Sequence, residues 1–178
     1  NLSLFTTKAI IILDTEGKKI VSKYYDNKVV KDQKVFEKQL YDKTKRQNSE
    51  IIMFDGHVVV YKNSIDVNFY LIGSSEENEL ILSAILQTFF DALSILLKTQ
   101  VEKRSIMDNM DLIFLALDET ISDGILLESD PSIIASRVSK RPEDGLQSGT
   151  YSNIPLSEQT ISQAIQTAKE QIAKSLLK

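Results

Sequence analysis

The sequence predicts an α+β domain in which antiparallel strands are grouped together and most of the helices follow them. Three observations point there. In the first half of the chain the apolar pattern passes from short β-branched runs to a four-residue spacing and back again. Two-residue turn signals, Glu16-Gly17 and Asp55-Gly56, stand between neighbouring runs. After that the patterns are helical in succession, which is not the strand–helix alternation of a parallel sheet.

Lys8–Asp14, KAIIILD, reads as a strand because β-branched residues run almost without a break. Glu16-Gly17 turns the chain, and Lys19–Tyr25 returns with Ile20 and Tyr24 set against Lys19, Lys23 and Tyr25. From about Val30 to Gln47, Phe36, Leu40 and Thr44 recur every four residues with lysines between them, the pattern of an amphipathic helix lying on a sheet. Glu50–Phe54, His57–Lys62 and Ile65–Ile72 form an antiparallel meander, tight at Asp55-Gly56 and turning again at Asn63-Ser64. Gly73 stops the last strand, and Ser74 with Glu77 has the spacing of a capping box. The helix it opens, Ser75 to about Lys98, carries the stripe Leu82, Leu86, Phe89, Leu93 and Leu97. That run is about long enough to span a bilayer, but Gln87 and Asp91 fall in its middle, so a core helix is expected.

A further helix covers about Val101–Ser122, with Ile106, Met110, Ile113, Phe114 and Leu117 on its inner side and Gly124 ending it. Ile125–Glu128 is a short extended piece. Asp130 and Pro131 supply the N-cap and first position of another helix, which ends near Val138. The domain is expected to occupy residues 1–139. Residues 140–155 have no apolar period and read as a flexible linker. Residues 156–178 read as a C-terminal amphipathic helix with the stripe Ile161, Ile165, Ala168, Ile172 and Leu176.

With 178 residues, 42% hydrophobic and 26% charged, the chain is one domain's worth of sequence with material for a full core. It has no cysteine, which excludes disulfides and thiolate metal sites and suits a reducing, cytoplasmic setting. Asn1–Thr7 lacks the basic start and apolar core of a signal peptide. The net charge of -4 is uneven: Lys18–Arg46 holds 10 basic and 4 acidic residues, a local +6, leaving -10 for the rest. That segment reads as a solvated face or as a surface turned toward something acidic, a membrane or a partner's acidic patch. Nucleic acid is not expected, because no recognition motif is present and the chain as a whole is acidic.

Chemical equipment is sparse. With His57 as the one histidine, neither a catalytic triad nor a histidine-rich metal site can be assembled. Gly17-Lys18 lacks the upstream glycine and the following hydroxyl of a phosphate loop. Glu76, Glu77 and Glu79 suit a helix first turn, and Asp118, Glu119 and Asp123 do not have calcium-loop spacing. No catalytic residue, cofactor or metal is expected, and the function expected is binding other proteins. Phe36, Leu40 and Tyr41 span more than one narrow stripe of their helix, and Tyr24 and Tyr25 point to opposite faces of a strand; these five are the candidate partner-binding positions.

The order hairpin, helix, meander, two long helices resembles that of longin-like (SNARE-like) domains. More specifically, KAIIILDTEGKKIVSKYYD (Lys8–Asp26), FEKQLYDKTKRQNSEI (Phe36–Ile51), VVYKNSIDVNFYLIGSSEENELIL (Val59–Leu82), LALDETISDGILLESDP (Leu115–Pro131) and LSEQTISQAIQTAKEQIAKSLL (Leu156–Leu177) resemble the coatomer zeta subunits, in order along nearly the whole chain. The resemblance implies a five-stranded antiparallel sheet flanked by helices, with a C-terminal helical tail. It implies a non-catalytic small subunit of coat protein complex I, obligately paired with the gamma-subunit trunk and surrounded by the remaining coatomer subunits. It also implies recruitment by an Arf-family GTPase through the assembled coat, peripheral association with Golgi membranes, and Golgi-to-ER and intra-Golgi transport. A clathrin-adaptor small subunit or a tethering-complex subunit is the alternative within longin-like modules. In the sigma subunits of clathrin adaptors, a pocket takes dileucine sorting signals. The corresponding region here includes Asp91, Val101, Arg104 and Ile106, and Asp91 and Arg104 depart from the pocket's apolar character.

Overall fold

The computed structural model describes residues 7–26, 31–47, 49–140 and 166–175. In the first compact unit, Asn1–Arg141, β1 (Ala9–Asp14) and β2 (Lys19–Tyr24) form the hairpin, α1 (Gln33–Thr44) follows, and β3 (Ile51–Phe54), β4 (His57–Ser64) and β5 (Val67–Ser74) form the meander. β5 returns to pair with β1, so the sheet runs β2-β1-β5-β4-β3 and is antiparallel throughout. α1 carries the chain from one edge strand to the other across one face of this sheet.

The other face is covered by α2 (Glu79–Leu97), α4 (Met110–Thr120) and α5 (Pro131–Lys140). Two-sided cover explains why β1 shows no alternation in sequence. Ala9, Ile11 and Leu13 meet α1, Ile10 and Ile12 meet the α2 side, and all are buried. The register holds the layers together: Ile11 lies opposite Tyr70 on the α1 side, Ile12 opposite Phe69 on the α2 side. By length and composition α2 could cross a membrane. Here its Leu82, Leu86, Phe89 and Leu93 form one wall of the core, and Gln87 donates to Asp91 at 2.8 Å away from that core.

The structure departs from the expected boundaries at five places. β4 runs through Asn63 and Ser64, and the turn falls at Ile65-Asp66, with Ile65 at φ 48. Tertiary bonds fix it there: the Ser64 hydroxyl donates to the Val101 carbonyl at 2.8 Å, and Asp66 accepts from the Lys103 amide at 2.7 Å. Gly73 does not stop β5; it pairs with Val58, and Ser74 pairs with His57. The α2 cap is therefore Asn78, whose side chain accepts from the Leu80 amide at 2.8 Å, while Ser74 and Glu77 close a backbone turn instead of a capping box.

The helix expected from Val101 to Ser122 is broken at Asn109 (φ -131, ψ 39) into α3 (Lys103–Asp108) and α4. The Asn109 side chain donates to the Ser105 carbonyl at 2.8 Å, and the break turns Phe114 outward to 42% exposure. Gly124 is no helix stop. Asp123 and Gly124, both left-handed (φ 49 and 82), turn a small hairpin between β6 (Ile121–Ser122) and β7 (Ile125–Leu126). The Gly124 carbonyl accepts from the Thr7 amide at 3.0 Å, and a Cβ on Gly124 would collide with the Thr7 carbonyl. Asp55-Gly56 makes the tight turn its sequence predicts (φ 49 and 72), and Asp130 caps α5 through the Ser132 amide at 2.8 Å.

The second unit is Pro142–Lys178, of which residues 166–175 are described, helical and exposed. The expected linker, apart from Lys140 at the end of α5, lies outside the described residues, as does the rest of the expected C-terminal helix.

Candidate partner-binding surface

α1 is seated by its own sequence. Asp32 caps it, accepting from the Val35 amide at 3.2 Å, and Phe36, Leu40 and Thr44 fall on the side facing the sheet. The Phe36 ring lies 5.3 Å from Phe54 and edge-on to His57 at 6.4 Å between centroids. The Thr44 hydroxyl donates to the Leu40 carbonyl at 2.9 Å and shares a 2.8 Å bond with the hydroxyl of Tyr70, whose pKa burial pushes up to about 12.

Phe36 is 4% exposed and Leu40 is fully covered. The apolar surface expected to meet a partner at these two positions is therefore taken up by the chain's own sheet: they hold α1 in place and have almost no area left to offer. His57 is half-buried under the same helix, with its Nδ1 buried.

The three tyrosines remain partly exposed. The Tyr24 hydroxyl donates to Glu37 at 2.8 Å, and Lys19 approaches the same carboxylate oxygen at 3.8 Å. Burial, reinforced by the Glu37 charge, raises the Tyr24 pKa well above the ordinary phenol value and keeps the donor neutral. The Tyr41 ring covers Gly17, where a Cβ would come within 2.6 Å of it; its hydroxyl donates to the Thr15 carbonyl at 2.5 Å, and the Lys45 ammonium sits 5.5 Å from the ring.

Tyr25 belongs to the opposite face, as strand alternation requires, packed against the α2-side core. Its hydroxyl is buried without a hydrogen bond, and burial together with Asp118 and Asp123 raises its pKa. It lines a cleft of about 240 Å³ with Thr7, Lys8, Asp26 and Asp123. The sheet thus brings Tyr24, Phe36, Leu40 and Tyr41 together on the α1 side and sends Tyr25 elsewhere.

Sequence reasoning missed the apolar residues the fold leaves in the open. On edge strand β3, Ile51 and Met53 are 38% and 55% exposed, although their cross-strand partners Val60 and Val58 are buried. Leu80 and Ile81, in the first turn of α2, are 71% and 47% exposed. The string IIMF signals a strand; that it ends the sheet, beyond the reach of α2, is set by topology alone.

The region matching the sorting-signal pocket offers no open apolar recess. Val101 and Ile106 are buried, Arg104 points outward beside Asp108 at 3.8 Å, and Asp91 is bonded to Gln87. Among the described residues no group of three or more histidine, cysteine or acidic side chains is placed to hold a metal.

Comparison with known proteins adds three kinds of relative. The clathrin adaptor complex small chain family matches residues 6–144. Coatomer subunit zeta-1 of Homo sapiens is 51% identical across 99% of this chain and 96% of its own length, coatomer subunit zeta-2 of Mus musculus 48% across 99% and 82%, and coatomer subunit zeta-1 of Arabidopsis thaliana 45% across 96% of each. Among solved structures, a chain of a homology model of the full-length AP-3 complex in a stretched open conformation superposes with a TM-score of 0.61 at 20% identity, covering 75% of this chain and 91% of that one. At that identity the likeness speaks for the fold.

Proposed function

The chain belongs to the clathrin adaptor complex small chain family and, within it, to the coatomer zeta subunits, and on that premise we propose that it is the non-catalytic small subunit of a coat protein complex I vesicle coat. The observation that carries this reading is identity of 51% sustained across 99% of the chain. In this reading the chain forms an obligate pair with the trunk of the gamma subunit and is held among the remaining coatomer subunits. It reaches Golgi membranes from the cytoplasm when an Arf-family GTPase recruits the assembled coat, and it serves Golgi-to-ER and intra-Golgi transport. Residues 1–139 act as the longin-like module, 140–155 as a linker and 156–178 as an amphipathic tail helix.

The partner surface is proposed on the α1 side at the half-exposed Tyr24 and Tyr41, with Phe36 and Leu40 acting indirectly by fixing α1, and Tyr25 as a separate contact on the opposite face. The experiment is co-expression of the full chain with a gamma trunk, read by size-exclusion chromatography, with Phe36→Asp and Tyr41→Asp measured for melting temperature and binding. The reading predicts a stable heterodimer, a large loss of melting temperature for Phe36→Asp, and loss of binding with a smaller thermal change for Tyr41→Asp. A chain that stays monodisperse, stable and indifferent to the trunk refutes the proposal.

A further inference from the structure

We infer that the solvent-facing ridge of α1 is a docking surface for an anionic lipid bilayer. The acids of α1 and its N-cap each already have a partner. Asp32 caps the helix, Glu37 is 5% exposed and bonded to Tyr24, and Asp42 is bonded to Lys45 at 2.7 Å. Lys31, Lys34, Lys38, Lys43 and Arg46 are all exposed, and none forms an ion pair among the described residues. Lys43 lies 5.6 Å from the Phe54 ring, which steadies its stem without neutralising it. Lys34, Lys38 and Lys43 lie on α1, with Lys31 just before its N-cap and Arg46 just after its C-cap, together spanning roughly 20 Å, in a chain whose charge outside Lys18–Arg46 sums to -10. The ridge is the positive pole of an otherwise acidic protein.

The form of the ridge selects the occupant. It is the convex outer side of a helix, and neither the cleft at Tyr25 nor the one beside Glu50 and Gln87 lies on it. An acidic peptide needs a groove to fix its backbone; long, mobile lysines on a convex ridge suit many mobile anions spread over a plane, which is what lipid headgroups present. The apolar side of α1 is already packed on the sheet, so no helix inserts. Binding is electrostatic and weakens as salt shortens the Debye length. The inference does not rest on the coat reading, because a bilayer is sensed by this chain alone.

The test is co-sedimentation of the full chain with phosphatidylcholine vesicles, with and without phosphatidylserine, at low and raised salt. A ridge variant, Lys31→Gln/Lys34→Gln/Lys38→Gln, is compared with a control of equal charge loss, Lys98→Gln/Arg104→Gln/Lys140→Gln, and melting temperature confirms that both fold. The expected result is salt-sensitive binding to the phosphatidylserine vesicles, reduced about 100-fold by the ridge variant and changed less than about threefold by the control. Equal losses in both variants, or no preference of the unaltered chain for anionic vesicles, overturns the inference. So does a ridge that ignores vesicles and binds an acidic protein surface. Failure here leaves gamma pairing untouched, and failure of gamma pairing leaves this result untouched.

Discussion

Asp14 is the residue whose removal tests the architecture most directly. It is 2% exposed, at the end of central strand β1. One oxygen accepts from the Glu16 and Lys18 amides at 2.9 Å each, and the other accepts from the Lys103 ammonium at 2.8 Å. It therefore closes the β1–β2 turn and ties that turn to α3. Asp14→Ala removes three charge-assisted bonds, nominally about 1.5–3 kcal/mol apiece. Three offsets apply: alanine recovers the carboxylate's desolvation cost, the freed amides lie on exposed turn residues and rehydrate, and the Lys103 side chain is already 41% exposed. The net loss is about 3 kcal/mol, or roughly 10 °C in melting temperature for a domain of this size.

The same site gives a pH signature. Burial alone raises the Asp14 pKa, but Lys103 and the two amides more than compensate and hold it below 3.8. A folded pKa below the unfolded one contributes stability above the unfolded value, lost as pH falls through the folded value. The gap between the unaltered chain and Asp14→Ala, measured by urea unfolding with circular dichroism, should therefore be full at pH 7 and narrow below about pH 4. A gap under about 1 kcal/mol at pH 7, or one unchanged at low pH, refutes the reasoning.

The other predictions concern the turn, the α1 seat and the open edge. Gly124→Ala meets both a left-handed φ and the Thr7 carbonyl, whereas Gly56→Ala meets a left-handed φ with open space around it. The first should destabilise by about 3 kcal/mol or more and the second by about 1 kcal/mol, and equal losses in a denaturation series would remove the steric argument. Tyr24→Phe strips the buried Glu37 carboxylate of its 2.8 Å donor, leaving Lys19 at 3.8 Å, and should lower stability by about 1–2 kcal/mol. Met53→Lys, at a position 55% exposed, should change stability by no more than about 0.5 kcal/mol; a large drop in melting temperature would mean that β3 is covered in solution by something its own chain supplies.

What the sequence made legible was local chemistry. Asp55-Gly56 and Asp130-Pro131 declare a turn and a cap by residue type alone, and both are where they were expected. At the turns and glycines that were misplaced, pairing elsewhere in the fold outvotes the local signal. Asn63-Ser64 is good turn chemistry, yet Val101 and Lys103, far along the chain, bond to Ser64 and Asp66 and move the turn to Ile65, a residue that local preference would not place at positive φ. Gly73 and Gly124 looked like stops, but one is held in a ladder opposite Val58 and the other serves the Thr7 amide.

The surface follows the same rule. Phe36 and Leu40 looked like candidates for a partner because a helix stripe does not reveal which body it packs on, and here that body is the chain's own sheet. Met53 stands open because β3 ends the sheet, which IIMF alone does not say. Residue type fixes what a side chain can bury, and topology decides whether this chain or another one buries it. In this chain Phe36 and Met53 belong to one connection, the passage of α1 from β2 to β3. That crossing covers Phe36 and leaves Met53 on the open edge, so a single topological choice, invisible in any local window, sets what the protein can present to its neighbours.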